Sequence, residues 1–177
     1  EYPDWMDRSL KTLWPERLAV EMSALNQPAP VDLRVNTLQS TPDAVRQSLK
    51  DDYIEVEPTP LSSIGLRLTG KARLAGSTAF KKGWVEVQDE GSQLIAQLTG
   101  ARPGMKVVDF CAGGGGKTLA LAAAMGIDGA IDGRLWACDI SDYRLERITP
   151  RLNRAGADNV RTKVIAALDD PWANKNA

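Results

Sequence analysis

The chain contains no histidine, and that single absence removes imidazole-based triads, histidine acid–base pairs and most zinc sites. It holds only two cysteines, Cys111 and Cys138, so a disulfide framework is not expected and a reduced, cytoplasmic protein is. Neither sign of charge dominates: the net charge is −1, and nothing global announces nucleic acid or an anionic membrane. Long apolar runs are missing as well. The stretch after Lys117 is too short to span a bilayer, and no charged-then-apolar leader opens the chain. The expectation is a protein without membrane or metal, most simply a monomer. Its 177 residues suffice for one good core or two small ones.

What the chain does have is the stretch Val107–Met125, VVDFCAGGGGKTLALAAAM. A β-branched pair leads to Asp109 and Phe110, four glycines follow from Gly113 to Gly116, and an Ala/Leu-rich run with strong helix propensity comes after Lys117. Strand, glycine turn and helix together let a backbone approach a ligand, because glycine has no Cβ and the first helical amides are free. The pattern is not a P-loop, since Cys111 stands where that loop needs its first glycine. Nor is it the GxGxxG dinucleotide turn, which would need a third glycine at Thr118. Asp139 ends the next strand-like segment about 20 residues past the loop, the spacing at which a carboxylate meets ribose hydroxyls.

The alternation of Asp109, Cys111, Gly113 and Gly115 resembles the S-adenosylmethionine loop of Rossmann-like methyltransferases. DFCAGGGGKT is similar to the cofactor loop of the Sun/Fmu family of RNA (cytosine-5) methyltransferases, usually Cys-Ala-Ala-Pro-Gly-Gly-Lys-Thr, with Gly113 and Gly114 in place of Ala-Pro. LRVNTL at 33–38, GWVEVQDEGSQL at 83–94 and ACDISDYRLERI at 137–148 also resemble family signatures. The resemblance implies an α/β chain: an incomplete Rossmann-like methyltransferase domain over residues 79–177, preceded by a small α/β RNA-side domain over 1–78. It implies S-adenosyl-L-methionine as cofactor, held by Cys111, Ala112, Gly113, Gly114, Gly115, Gly116 and Lys117, with Asp139 on the ribose. The arginine matching Arg144 helps hold this region in the family, and a surface ion pair accounts for it equally well. The family's adenine-side aspartate falls near Ile165 or Ala166, so that acid is either missing here or displaced to Asp169.

Along the rest of the chain, the opening segment reads as ending in a helix that starts near Pro15 and buries Leu18, Met22 and Leu25, anchored by Trp5 and Trp14. Val31, Leu33 and Val35 alternate with polar residues in a half-buried strand, which places Arg34 and Asn36 on its exposed face. Thr41-Pro42 opens a helix to about Lys50 that buries Val45 and Leu49. Strands follow around Ile54–Val56 and Ile64–Leu68. Val85–Val87 reads as a strand and Glu90–Leu98 as a helix with Leu94, Ile95 and Leu98 inward; Gln88, Asp89 and Glu90 read as caps. Asp142–Ala155 is a helix that Pro150 should kink or split. Between Pro58 and Val85 there is no acid, while Arg67, Lys71, Arg73, Lys81 and Lys82 are all cationic. With Arg34 and Asn36 these are the candidate RNA contacts; a solvated basic face is the plain alternative.

Methylating cytosine carbon 5 requires a thiolate nucleophile and a nearby acid. The resemblance puts both on strands after Ala177, so the chain is expected to be a fragment without catalytic residues of its own. Cys111 and Cys138 read as small packing residues. The substrate implied is RNA, most plausibly ribosomal. Two rivals stay open: an RNA-binding module with a relic cofactor loop, and a nucleotide- or NAD-binding Rossmann enzyme.

Overall fold

Backbone chemistry near Pro15 decides the first break in the chain. In the computed structural model, which describes residues 2–166 and 170–176, the opening segment forms two helices, α1 (Asp4–Leu13) and α2 (Leu18–Leu25). One helix was expected there. Trp14 leaves the helical region at φ −130°, ψ 68°, because a following proline disfavours the α conformation. Residues Glu1–Pro30 are one compact unit and Val31–Ala177 another. Within the first, Asp7 accepts from Tyr2 Oη at 3.0 Å and pairs with Lys11 at 2.7 Å. Neither helix contains a buried residue, and Trp5 is 79% exposed rather than an anchor.

The second unit begins with β1 (Asp32–Val35), α3 (Pro42–Asp51), β2 (Val56–Pro58), β3 (Gly65–Leu68), α4 (Thr78–Lys81), β4 (Val85–Val87) and α5 (Glu90–Leu98). Its strands form an antiparallel sheet in the order β2-β3-β1-β4. Helix α3 starts as its sequence requires: the Thr41 hydroxyl accepts from Ala44 N at 3.3 Å, Pro42 occupies the first turn, and Val45 and Leu49 are fully buried. These two pack with Leu33, Val35, Leu66 and Val85 into the core of this sheet.

A parallel sheet follows, built from β5 (Lys106–Asp109), α6 (Gly116–Ala124), the short hairpin β6 (Gly126–Ile127) and β7 (Ala130–Ile131), β8 (Arg134–Asp139), α7 (Asp142–Glu146), α8 (Thr149–Ala155), β9 (Val160–Val164) and α9 (Pro171–Asn176). Its order is β5-β8-β9, with Val108 beside Trp136 and Asp139 beside Val164. Pro150 does split the expected helix: it lies in the first turn of α8, where its missing N–H costs nothing. Leu119, Ala122, Met125, Leu135, Ala137 and Ile148 form the second core.

Two face assignments need correction. Arg34 and Asn36 are not exposed; they are 1% and 2% accessible. Strand β1 is central, flanked by β3 and β4, and its second face is covered rather than open to water. Asn36 Nδ2 donates to the carbonyls of Gly83 and Ala155, both at 2.9 Å, and Arg34 Nε donates to Gln88 Oε1 at 2.6 Å. On α5 the inward residues are Glu90, Gln93 and Ala96, while Ile95 and Leu98 are 56% and 85% exposed. Polar pairing sets that helix's rotation: Gln93 Nε2 donates to the carbonyls of Gln88 and Leu33, and Glu90 Oε1 accepts from Leu61 N and Ser62 N at 2.6 and 2.8 Å.

The carboxylates of this unit predict its acid behaviour. Arg67 holds the buried Asp32 carboxyl below its usual range through bonds of 2.7 and 2.9 Å, and the Leu61 and Ser62 amides do the same for Glu90 against the cost of its burial. A folded-state pKa below the unfolded value means that the stabilisation is full above the ordinary carboxylate range, about pH 4, and is lost as pH falls through the folded value. Urea midpoints of the wild type and Asp32→Asn should therefore lie furthest apart at about pH 6 and draw together as pH falls below about 4. A constant gap over that range is the result that contradicts the assignment.

Candidate functional site

The βα turn after β5 is shaped by its glycines. Gly113 and Gly115 have φ of 53° and 83°, a region that side chains rarely adopt, and a Cβ on Gly115 would press on Ile148 at 3.0 Å. Over Gly113 there is open space to 4 Å. Thr118 Oγ1 donates to Asp109 Oδ2 at 2.7 Å, which fixes the start of α6 against the end of β5. The first bond associated with this helix runs from Leu119 N to Gly115 O, so the amides of Gly116, Lys117 and Thr118 precede the helical ladder and face outward from its start. Lys117 is exposed at this turn.

Asp139 faces the loop from the end of the neighbouring strand. Its Oδ2 accepts from Gly113 N and its Oδ1 from Ser141 N, both at 2.9 Å, and Arg144 Nη1 lies 3.7 Å from Oδ1. These amides, Ser141 first, and the Arg144 cation hold the carboxyl below its usual range against burial. Each carboxylate oxygen keeps a second acceptor position, so the group can still receive two vicinal hydroxyls. Open space over Gly113, free helix-start amides and an ionised carboxylate between loop and strand form a donor and acceptor set that fits an adenosyl amino acid. Cys111 is exposed in the loop, whereas Cys138 is fully buried and burial pushes its thiol up to about 11. A thiol so protonated near neutral pH is a packing group, not a nucleophile.

The structure thus brings Cys111 to Lys117, Asp139 and Arg144 together. Asp169 lies outside the described residues. Its neighbour Asp170 accepts from Ala166 N and Trp172 N, each at 2.9 Å, and caps α9. The basic candidates do not form one patch. Arg67 is spent on Asp32, Lys71 lines a groove with Lys50 and Tyr53, and Lys82 sits 4.6 Å over the Trp84 ring. Two grooves of about 510 and 490 Å³ run along α3 and the β2–β3 edge and include no cofactor-loop residue. The loop and its carboxylate, not cavity size, identify the site.

Sequence reasoning missed the residues that brace the loop. Arg151, on α8, donates from Nη1 to the Gly114 carbonyl and from Nη2 to Glu86 of β4 at 2.9 Å. Arg154 donates to the other Glu86 oxygen. No local pattern points to these contacts, since Arg151 lies 37 residues from Gly114 and 65 from Glu86. Among the described residues no helix is long and apolar enough to cross a membrane, and no three metal-ligating side chains gather.

Comparison with known proteins places this geometry among methyltransferases. Residues 2–75 match the family model described as Methyltr_RsmF/B-like, ferredoxin-like domain. The chain is 34% identical over 158 residues to ribosomal RNA small subunit methyltransferase B of Pseudomonas putida, covering 89% of this chain and 35% of that protein. It is 33% identical over 157 residues to the protein of the same name from Pseudomonas syringae, covering 89% and 34%. The chain spans about a third of the length of these relatives. Among solved structures, a methyltransferase homologue from Pyrococcus horikoshii superposes with a TM-score of 0.84 at 26% identity, covering 98% of this chain and 56% of that one.

Proposed function

The chain is related to the Sun/Fmu family of RNA methyltransferases, and on that premise we propose that it forms the RNA-side and cofactor-holding part of an enzyme that methylates carbon 5 of cytosine in ribosomal RNA. S-adenosyl-L-methionine, when bound, supplies an electrophilic methyl group. The observation that carries the reading is the Asp139 carboxylate at the end of β8, set 2.9 Å from Gly113 N of the loop after β5.

In this reading Asp139 receives the ribose hydroxyls, and the amides of the 111–117 loop hold the amino-acid end. The Lys117 ammonium offsets the cofactor carboxylate; a cation at a helix start opposes the dipole and gains from such a partner. Arg144 keeps Asp139 ionised and oriented. Residues 1–78 serve the RNA and 79–177 the cofactor. No residue here is assigned as nucleophile, since Cys138 is held protonated.

A thermal-shift titration with S-adenosylhomocysteine, NAD and ATP in parallel tests the proposal, because a ligand that binds only the folded state raises the midpoint with occupancy. At about 100 times the dissociation constant the gain is about 2.7 kcal/mol. A rise with S-adenosylhomocysteine alone is expected. A rise with NAD or ATP alone overturns the methyltransferase reading, and no rise with any ligand favours a relic loop.

A further inference from the structure

Among the described residues, two buried side-chain nitrogens have no hydrogen-bond partner: Arg34 Nη1 and Arg154 Nε. Both belong to one cluster. The Glu86 carboxylate, 3% exposed, accepts from Arg151 Nε and Nη2 at 3.3 and 2.9 Å on one oxygen and from Arg154 on the other. Arg34 lies within the field of both Glu86 and Arg151, yet its own bond goes to the neutral Gln88. Among the described residues three guanidiniums therefore share one carboxylate, which leaves a surplus of two positive charges in the cluster. Unbalanced charge and unmade bonds in a partly buried setting are both costly. An anion against the exposed edges of Arg151 and Arg154 would offset the surplus charge.

Its surroundings say which anion. The side chains of Arg151 and Arg154 remain 28% and 24% exposed, so a ligand can reach their outer edges while Arg34 supplies charge from behind. Arg154 stacks 4.3 Å over the Phe80 ring, and the exposed cations Lys81 and Lys82 follow directly. At the other end Arg151 reaches the Gly114 carbonyl of the cofactor loop. Arg154 thus lies against α4 and Arg151 against the loop. The nearby acids on α7, Asp142 and Glu146, are exposed and hold neither Arg151 nor Arg154.

We propose that Arg34, Arg151 and Arg154 around Glu86 form a phosphate-binding site for the backbone of an RNA strand, leading from Lys81–Lys82 to the cofactor loop. The choice of RNA as the phosphate donor rests on the functional reading above; the unbalanced charge does not. Forked guanidinium edges match phosphate oxygens in pairs, and a phosphodiester at this place orients a strand without reading its bases.

Fluorescence-anisotropy titration of a labelled single-stranded RNA at several salt concentrations tests this, with calorimetry of S-adenosylhomocysteine alongside. Arg154→Gln should weaken RNA binding about tenfold and make the salt slope shallower by about 0.7, the single-strand value for one phosphate contact. Arg154→Lys, which keeps the charge, should restore the slope. Unchanged RNA affinity and slope in a folded Arg154→Gln protein overturn the proposal and leave the arginines as a structural latch. Should that variant fail to fold, the exposed pair Lys81→Gln/Lys82→Gln must show the loss of affinity; no loss overturns it equally. A wild-type chain that binds no RNA also overturns it. If RNA behaves as expected while S-adenosylhomocysteine does not bind, the cofactor reading falls and the phosphate site stands.

Discussion

Asp139→Ala is expected to weaken S-adenosylhomocysteine binding by about 100-fold, equivalent to about 2.7 kcal/mol. Two losses add up to that figure. The direct one is the acceptor for two ribose hydroxyls, and charge-assisted bonds contribute about 1.5–3 kcal/mol each before desolvation is offset. The indirect one is the loop itself, because the same carboxylate holds Gly113 N and Ser141 N. Asp139→Asn should be nearly as damaging. Both oxygens face backbone donors, so the amide NH2 must oppose one of them. Isothermal titration of the two variants against the wild type measures this, with thermal midpoints as a check on folding. Affinity within twofold of the wild type in both would remove the ribose role from Asp139.

The largest loss of stability is expected from Gly83→Ala. Gly83 has φ 69°, and a Cβ there would lie 2.5 Å from the carbonyl carbon of Arg154 and closer still to its oxygen. Both partners are backbone, so nothing flexible can yield. The left-handed conformation alone costs an alanine about 1 kcal/mol, and forced repacking adds about 1–3 kcal/mol. Displacing α8 also pulls on Asn36, whose amide bridges the Gly83 and Ala155 carbonyls. A loss of about 3 kcal/mol or more in urea unfolding is expected. Gly70→Ala, where nothing lies within 4 Å, should stay within about 0.5 kcal/mol and is the control. Equal effects at the two glycines would mean that the Gly83–Arg154 approach does not constrain the fold.

The contrast between what the chain disclosed and what it withheld follows the range of the interactions. Thr41 caps a helix three residues on and Pro150 breaks one at its own position, so both were legible from neighbours in sequence. The loop and Asp139 were legible too, because glycines at a strand end and an acid after the next strand carry their geometry with them. Arg34 and Asn36 were misplaced because alternation distinguishes two faces of a strand without saying whether the second is covered. Its cover comes from α5 and α8, far along the chain. The rotation of α5 was likewise set by Gln93 and Glu90, whose partners are Leu33, Leu61 and Ser62, and hydrophobicity alone chose the wrong side. Arg151 lies 37 residues from Gly114 and 65 from Glu86, beyond any local signal.

Strand β4 has a consequence for how such a protein can be divided or recombined. Residues 85–87 pair with β1 in the antiparallel sheet, and the middle one, Glu86, anchors the two arginines of α8. A cut after Thr78 would take the edge strand away from its own sheet and leave it attached to the parallel one. The division proposed at 78/79 is therefore not a folding division, in keeping with the single compact unit from Val31 to Ala177. Grafting the sheet of one relative onto the cofactor half of another would have to carry β4, and with it a matching pair of arginines. The antiparallel and parallel sheets of this chain are tied together by that one strand.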